Sequence, residues 1–209
     1  MFKGTSASAG IGIGKAVIVE EAELVITRNE VADAEAEIQR FKGALEKTIA
    51  ATQKMADDLA SRVGEKEAEI MQGHMMLLSD PMLTGEIENS VKNDKVNCEF
   101  AIENVCNMYA DMFASMGDEL MQQRATDMRD IKVRMQRTLM GLESVDVSLL
   151  PKGSILVAKD LTPSMTAGIN PENVSGIVTE LGGKTSHSAI LARALEIPAV
   201  VAVNGLMDA

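Results

Sequence analysis

Residues 181–201 read LGGKTSHSAILARALEIPAVV and hold one of only two histidines in a chain of 209 residues. The glycine pair Gly182–Gly183 lets a backbone approach closely, and Lys184 adds a positive charge. Thr185 or Ser186 suits the N-cap of a helix, which places His187 in its first turn. There the free backbone N–H groups favour an anion and disfavour a second positive charge, by about 0.3–1 kcal/mol at an exposed end. Such an end would keep an imidazole neutral and nucleophilic while stabilising a phosphoryl dianion attached to it. On spacing alone, a capping turn with an incidental surface histidine accounts for the string equally well. A Walker A loop does not, because the first glycine of that pattern falls on Val178.

Around this string the pattern is that of a compact α/β unit. The segment 154–159 (SILVAK) reads as a strand, 164–168 as a short helix, 175–180 (SGIVTE) as a strand, 186–195 as a helix and 198–203 as a strand. A Gly-punctuated β-like run at 10–20 (GIGIGKAVIVE) has no partner nearby in sequence, so it is expected to join the same sheet. Between these parts, residues 29–142 carry almost no β signal. Apolar steps of three and four residues from Val31 to Val63 predict one long helix stopping near Gly64, and a second follows over 65–78. Asp80 and Pro81 fit the N-cap and first position of a third. Asn97 fits the cap of a fourth, ending before Gly117, and a last helix is expected over 125–140. Short loops between long helices predict an antiparallel bundle inserted into a discontinuous α/β domain.

Composition narrows the possibilities further. A net charge of -11 argues against nucleic-acid binding and favours basic partners. There is no apolar run long enough to span a membrane and no signal-peptide core near Met1, so a cytoplasmic protein is expected. Cys98 and Cys106 fall in one predicted helix, about 12 Å apart and out of disulfide reach, and read as packing residues. No Cys/His cluster suggests a metal site. His74 reads as a packing histidine within a helix. The four apolar residues Met75–Met76–Leu77–Leu78 beside it cannot all face one core, so part of that run should be exposed as a partner surface.

The string GGKTSHSAILAR closely resembles the phosphohistidine motif shared by enzyme I of the sugar phosphotransferase system, pyruvate phosphate dikinase and phosphoenolpyruvate synthase. Three further stretches select enzyme I, namely SASAGIGIGKAVI, GHMMLLSDPML and QQRATDMRDI, and DLTPSMTA resembles its strand-to-helix turn ahead of the active histidine. The resemblance implies an α/β swivelling phosphohistidine domain over 1–25 and 144–209, with an α-helical HPr-binding domain inserted over 26–143. It implies that His187 carries a phosphoryl group and passes it to a histidine of the carrier HPr, in support of bacterial sugar uptake. Thr166 would hydrogen-bond that histidine, and Gly182, Gly183, Lys184, Thr185 and Ser186 would support it. His74, Met76, Leu77, Asp80, Leu83, Met121 and Arg124 fall at or near carrier-contacting positions. Lys184 stands where relatives often have Arg, and Pro81 and Met82 stand where they have acidic residues. The phosphoenolpyruvate-binding barrel of the family has no counterpart here, so no cofactor is expected in this chain. Mg²⁺ would serve only the full-length enzyme with phosphoenolpyruvate, and homodimerisation would rest on that barrel. The alternatives are a paralogue serving a nitrogen-regulatory carrier and a non-catalytic carrier-binding module.

Overall fold

The computed structural model describes residues 2–208. It comprises an α/β unit and a helical unit. The α/β unit holds a five-stranded sheet built from β1 (Thr5–Ser8), β2 (Lys15–Ile18), β3 (Ser154–Ala158), β4 (Val174–Thr179) and β5 (Ala199–Val201), in the order β1-β5-β4-β3-β2. The strands β2 to β5 run parallel, whereas β1 pairs antiparallel with β5 at one edge. Parallel neighbours need crossovers, and two of the unit's helices supply them. Helix α6 (Pro163–Ala167) joins β3 to β4, and helix α7 (His187–Ala194) joins β4 to β5. Leu156, Ala158, Ile177, Ala199 and Val201 from the sheet close on Ile169, Ala189, Ala192 and Ile197 to form this unit's core.

Of the β-like run expected over 10–20, residues 15–18 form β2, while β1 precedes the run and lies at the opposite edge of the sheet. Between β1 and β2, Gly10 passes against Pro198, Gly12 against the Ser175 carbonyl and Gly14 against the Gly153 carbonyl. Those partners lie at the starts of β5, β4 and β3, so the segment crosses the sheet at the ends of three strands. A Cβ at Gly12 or Gly14 would run into backbone, while the alternate residues Ile11 and Ile13 face outward and are exposed. The glycines are there for close approach.

The helical unit contains most of α1 (Ala34–Val63) and α2 (Glu65–Leu78), with α3 (Pro81–Asp94), α4 (Cys98–Ser115) and α5 (Glu119–Met140). Phe41, Leu78, Leu83, Ile87, Ile102, Met128, Ile131 and Met135 lie in its core. Asp80 caps α3 by accepting from the Met82 N–H at 2.8 Å, with Pro81 at the first helical position. Helix α5 begins at Glu119, a turn and a half before the expected Ala125, because Asp118 caps it by accepting from the Met121 N–H. Asn97 precedes α4 as expected, but its side chain makes no cap there. Its Oδ1 accepts from Asn29 N–H, and its amide donates to Glu99.

One segment departs from the expected partition. Residues 57–68, which the boundaries 26–143 place in the helical domain, group with the α/β unit. The physical tie is Arg62, whose guanidinium donates to the carbonyls of Ala167 and Ile169.

Candidate functional site

In the α/β unit, the loop after β4 and the start of α7 set the position of His187. Thr179 Oγ1 donates to Leu181 O at 2.7 Å, and the Ala202 N–H donates to the same carbonyl. Gly182 takes a positive φ of 96°, which only glycine adopts without strain. Ser186, not Thr185, is the cap: its Oγ accepts from Ala189 N–H at 3.2 Å and donates to Gly183 O at 2.9 Å. His187 is thus the first residue of an eight-residue helix, half-buried in its first turn behind the Ser186 cap. Lys184 and Thr185 are exposed, while Gly183 is partly covered.

Two arginines that sequence reasoning assigned no role brace this unit. Arg193, in the last turn of α7, donates from Nη1 to Ala7 O and to Lys184 O, both at 3.0 Å. It ties the loop to strand β1. Arg62 reaches the carbonyls at the C-terminal end of α6, where unsatisfied acceptors favour a cation. Burial without a carboxylate contact pulls the Arg62 guanidinium below its ordinary range, opposed by the charge of Asp58. Both arginines bond backbone carbonyls far away in sequence, a use that no spacing rule reveals.

Thr166 lies on α6, which packs against α7. It is buried, and its hydroxyl donates to Thr162 O at 2.7 Å. That commits the hydroxyl hydrogen and leaves the oxygen as an acceptor. At the start of the same turn, burial pushes the Asp160 carboxyl up, tempered by the hydrogen bond it accepts from Leu161 N–H.

The residues expected at the carrier surface all lie in the helical unit, and they divide. Met76 is 72% exposed. Leu77, Asp80, Met121 and Arg124 are partly exposed. Leu83 is buried, which corrects its expected place on the surface, and His74 is buried as its packing reading expects, so it offers no surface to a carrier. Leu83 packs in the helical core as α3 turns inward from its proline. His74 faces α5, where its Nε2 lies 3.2 Å from Asp127 Oδ1. Met82, Met108, Met112, Met116 and Leu120 are further exposed apolar residues of this unit. Among the described residues, no group of three or more His, Cys, Asp or Glu is placed to hold a metal ion, and no helix is long and apolar enough to cross a membrane.

Comparison with known proteins gives this arrangement a context. Residues 3–124 match the family PEP-utilising enzyme, N-terminal, and residues 150–209 match PEP-utilising enzyme, mobile domain. The chain belongs to the PEP-utilising enzymes and, within them, to the enzyme I family. It is 43% identical over 200 residues to the phosphoenolpyruvate-protein phosphotransferase of Bacillus subtilis, covering 96% of this chain and 35% of that one. Against the protein of the same name from Enterococcus faecalis it is 41% identical, covering 100% and 36%. The chain therefore spans about a third of the length of these curated relatives. An NMR solution structure of Enzyme I (nEIt) superposes with a TM-score of 0.82 at 40% identity, covering 97% of this chain and 83% of that one. The N-terminal domain of Enzyme 1 - Nitrogen superposes at 0.66 with 26% identity, covering 96% and 83%.

Proposed function

We propose that this chain is the phosphohistidine-bearing part of a phosphoenolpyruvate-protein phosphotransferase, and that His187 exchanges a phosphoryl group with a histidine of HPr. The observation that carries the proposal is the seat of His187 at the open N-terminus of α7, behind a glycine loop pinned by Arg193. In the transfer, a ring nitrogen of His187 attacks phosphorus as the phosphorus–nitrogen bond of the carrier breaks. Each ring keeps a hydrogen on its other nitrogen, so no proton changes hands and no general base is required. The N–H groups of α7 face the charge that arrives on the phosphoryl oxygens. Phosphoryl transfer rests on positioning and charge neutralisation. For the carrier reaction, helix ends and cationic side chains supply both, and no step is routed through Mg²⁺.

The carrier docks, in this reading, on the methionine-rich face of the helical unit, where Met76, Leu77 and Met121 offer a repackable apolar surface. The negative net charge suits a basic partner. The sugar-system carrier is preferred over a nitrogen-regulatory one by the greater likeness to nEIt than to the nitrogen-type domain. Mixing the chain with phosphorylated HPr in the presence of EDTA tests the proposal. Intact-mass analysis should show one phosphoryl group gained by the chain and lost by HPr. Absence of transfer by a folded chain that binds HPr would overturn it.

A further inference from the structure

Helices α2 and α5 enclose a cluster of charged and polar groups that neither the apolar core nor the His187 site uses. His74 on α2 has no exposed surface, and its Nδ1 lies 3.8 Å from Asp130 Oδ2. Its Nε2 donates to Asp127 Oδ1 at 3.2 Å, and Asp127 Oδ2 accepts from Arg124 Nη1 at 3.4 Å. Asp127 and Asp130 are both almost fully buried. From α1, Thr52 accepts from Arg134, one turn beyond Asp130. Arg124 alone of this group reaches the surface, its side chain 32% exposed. Its guanidinium rests on the backbone of Gly73, where any Cβ would strike Nη1.

Stability does not account for this arrangement, because well-packed apolar residues often replace buried charges at no loss. Position does. An arginine on a helix surface ordinarily samples many rotamers at a cost of about 2 kcal/mol to fix. Here the guanidinium lies where a side chain at Gly73 would be, and its Nη1 bonds the Asp127 carboxylate that His74 also contacts. Met76 lies one turn beyond Gly73 on α2 and Met121 one turn before Arg124 on α5, so each shares a helix face with its neighbour at this contact.

We propose that Gly73, His74 and Asp127 are positioning residues that preorganise Arg124 as a fixed cation of the carrier-docking face. The inference rests on the docking reading given above. Its mechanism is reduced ordering on binding, not an added contact.

A double-mutant cycle in the full chain tests it, with phosphorylated HPr as the probe and His187→Ala as the background to prevent turnover. Arg124→Ala should weaken binding about tenfold or more. Asp127→Asn should weaken it several-fold, yet cost less than about twofold once Arg124 is already alanine. His74→Gln keeps an N–H donor toward Asp127 and should retain most of the affinity, whereas His74→Leu should not. The Arg124 Nε–H resonance should be sharp and dispersed in the parent and in His74→Gln, and averaged in His74→Leu. Should Asp127→Asn fail to fold, the two His74 variants and this resonance decide the matter alone. Additive losses, or equal affinity in His74→Gln and His74→Leu, would overturn the positioning role. Unchanged affinity in Arg124→Ala would remove the docking reading and this inference with it.

Discussion

Met76 and Leu83 show how differently two apolar residues of the same expected surface behave. Met76 is 72% exposed and Leu83 only 2%. Met76→Ala should therefore leave thermal unfolding nearly unchanged and weaken HPr binding by about 1–2 kcal/mol, as a central anchor does. Leu83→Ala should instead destabilise the helical unit by about 2–5 kcal/mol through the cavity it leaves. Urea unfolding and calorimetric titration of both variants check the contrast. Equal unfolding midpoints would place Leu83 outside the core. His74 marks the limit of residue-level reading from sequence. Its spacing among apolar neighbours signalled burial correctly, but nothing local revealed Asp127 and Asp130 facing it. Those aspartates, with Arg134 and Arg137, sit on the inner face of α5. In a sequence, such charges read as solvated.

At the scale of elements, long amphipathic helices and their caps were legible because both signals are local. Asp80–Pro81 opens α3 where expected, and Gly141 closes α5 with a φ of 66°. The split of the N-terminal run into β1 and β2 was not legible, since each strand finds its partner some 140 residues or more away. The glycines between them are the consequence. Gly14→Ala should cost about 1–3 kcal/mol through backbone displacement at the start of β3, measurable as a lowered urea midpoint of the α/β unit. Substitution at Gly43, which has open space around it, is the control and should be neutral or stabilising. A second element-level contact links α1 to α4. Arg40 bonds both Glu37 and Glu99 at 2.6–2.8 Å. Its hydrogen bonds chiefly hold the Glu37 carboxyl below the usual range, against burial. For Glu99, burial pushes up, and the bonds from Arg40, its own backbone and Asn97 together reverse it. Both carboxyls are thus depressed in the folded state. Their stabilisation is full above the ordinary carboxylate value of 4.5 and is lost as pH falls below it through the folded values. Arg40→Met should lower stability at pH 7 and flatten that acid limb, as followed by urea unfolding at pH 7 and pH 3. An unaltered acid limb would show the pair to be inert.

Over the whole molecule, the proposed chemistry and the proposed recognition fall on separate units, and α1 contributes residues to both units. The His187 end depends on contacts within the α/β unit: Ser186 on Ala189 and Arg193 on Lys184 and Ala7. The methionine face and Arg124 belong to the helical unit. Loss of binding and loss of chemistry should therefore separate cleanly among variants, with Met76→Ala impairing transfer only at low carrier concentration. The motif around His187 made the candidate residue legible, whereas Arg193, which holds its loop, was silent because it acts through backbone carbonyls. The most direct test is to locate the phosphoryl group after reaction with phosphorylated HPr, by peptide mapping under alkaline conditions that preserve phosphohistidine. We expect all of it on His187, and none on any residue of His187→Ala, which should unfold within a few degrees of the parent. Phosphate on His74, or undiminished labelling of His187→Ala, would contradict the assignment of His187 as the carrier of the group.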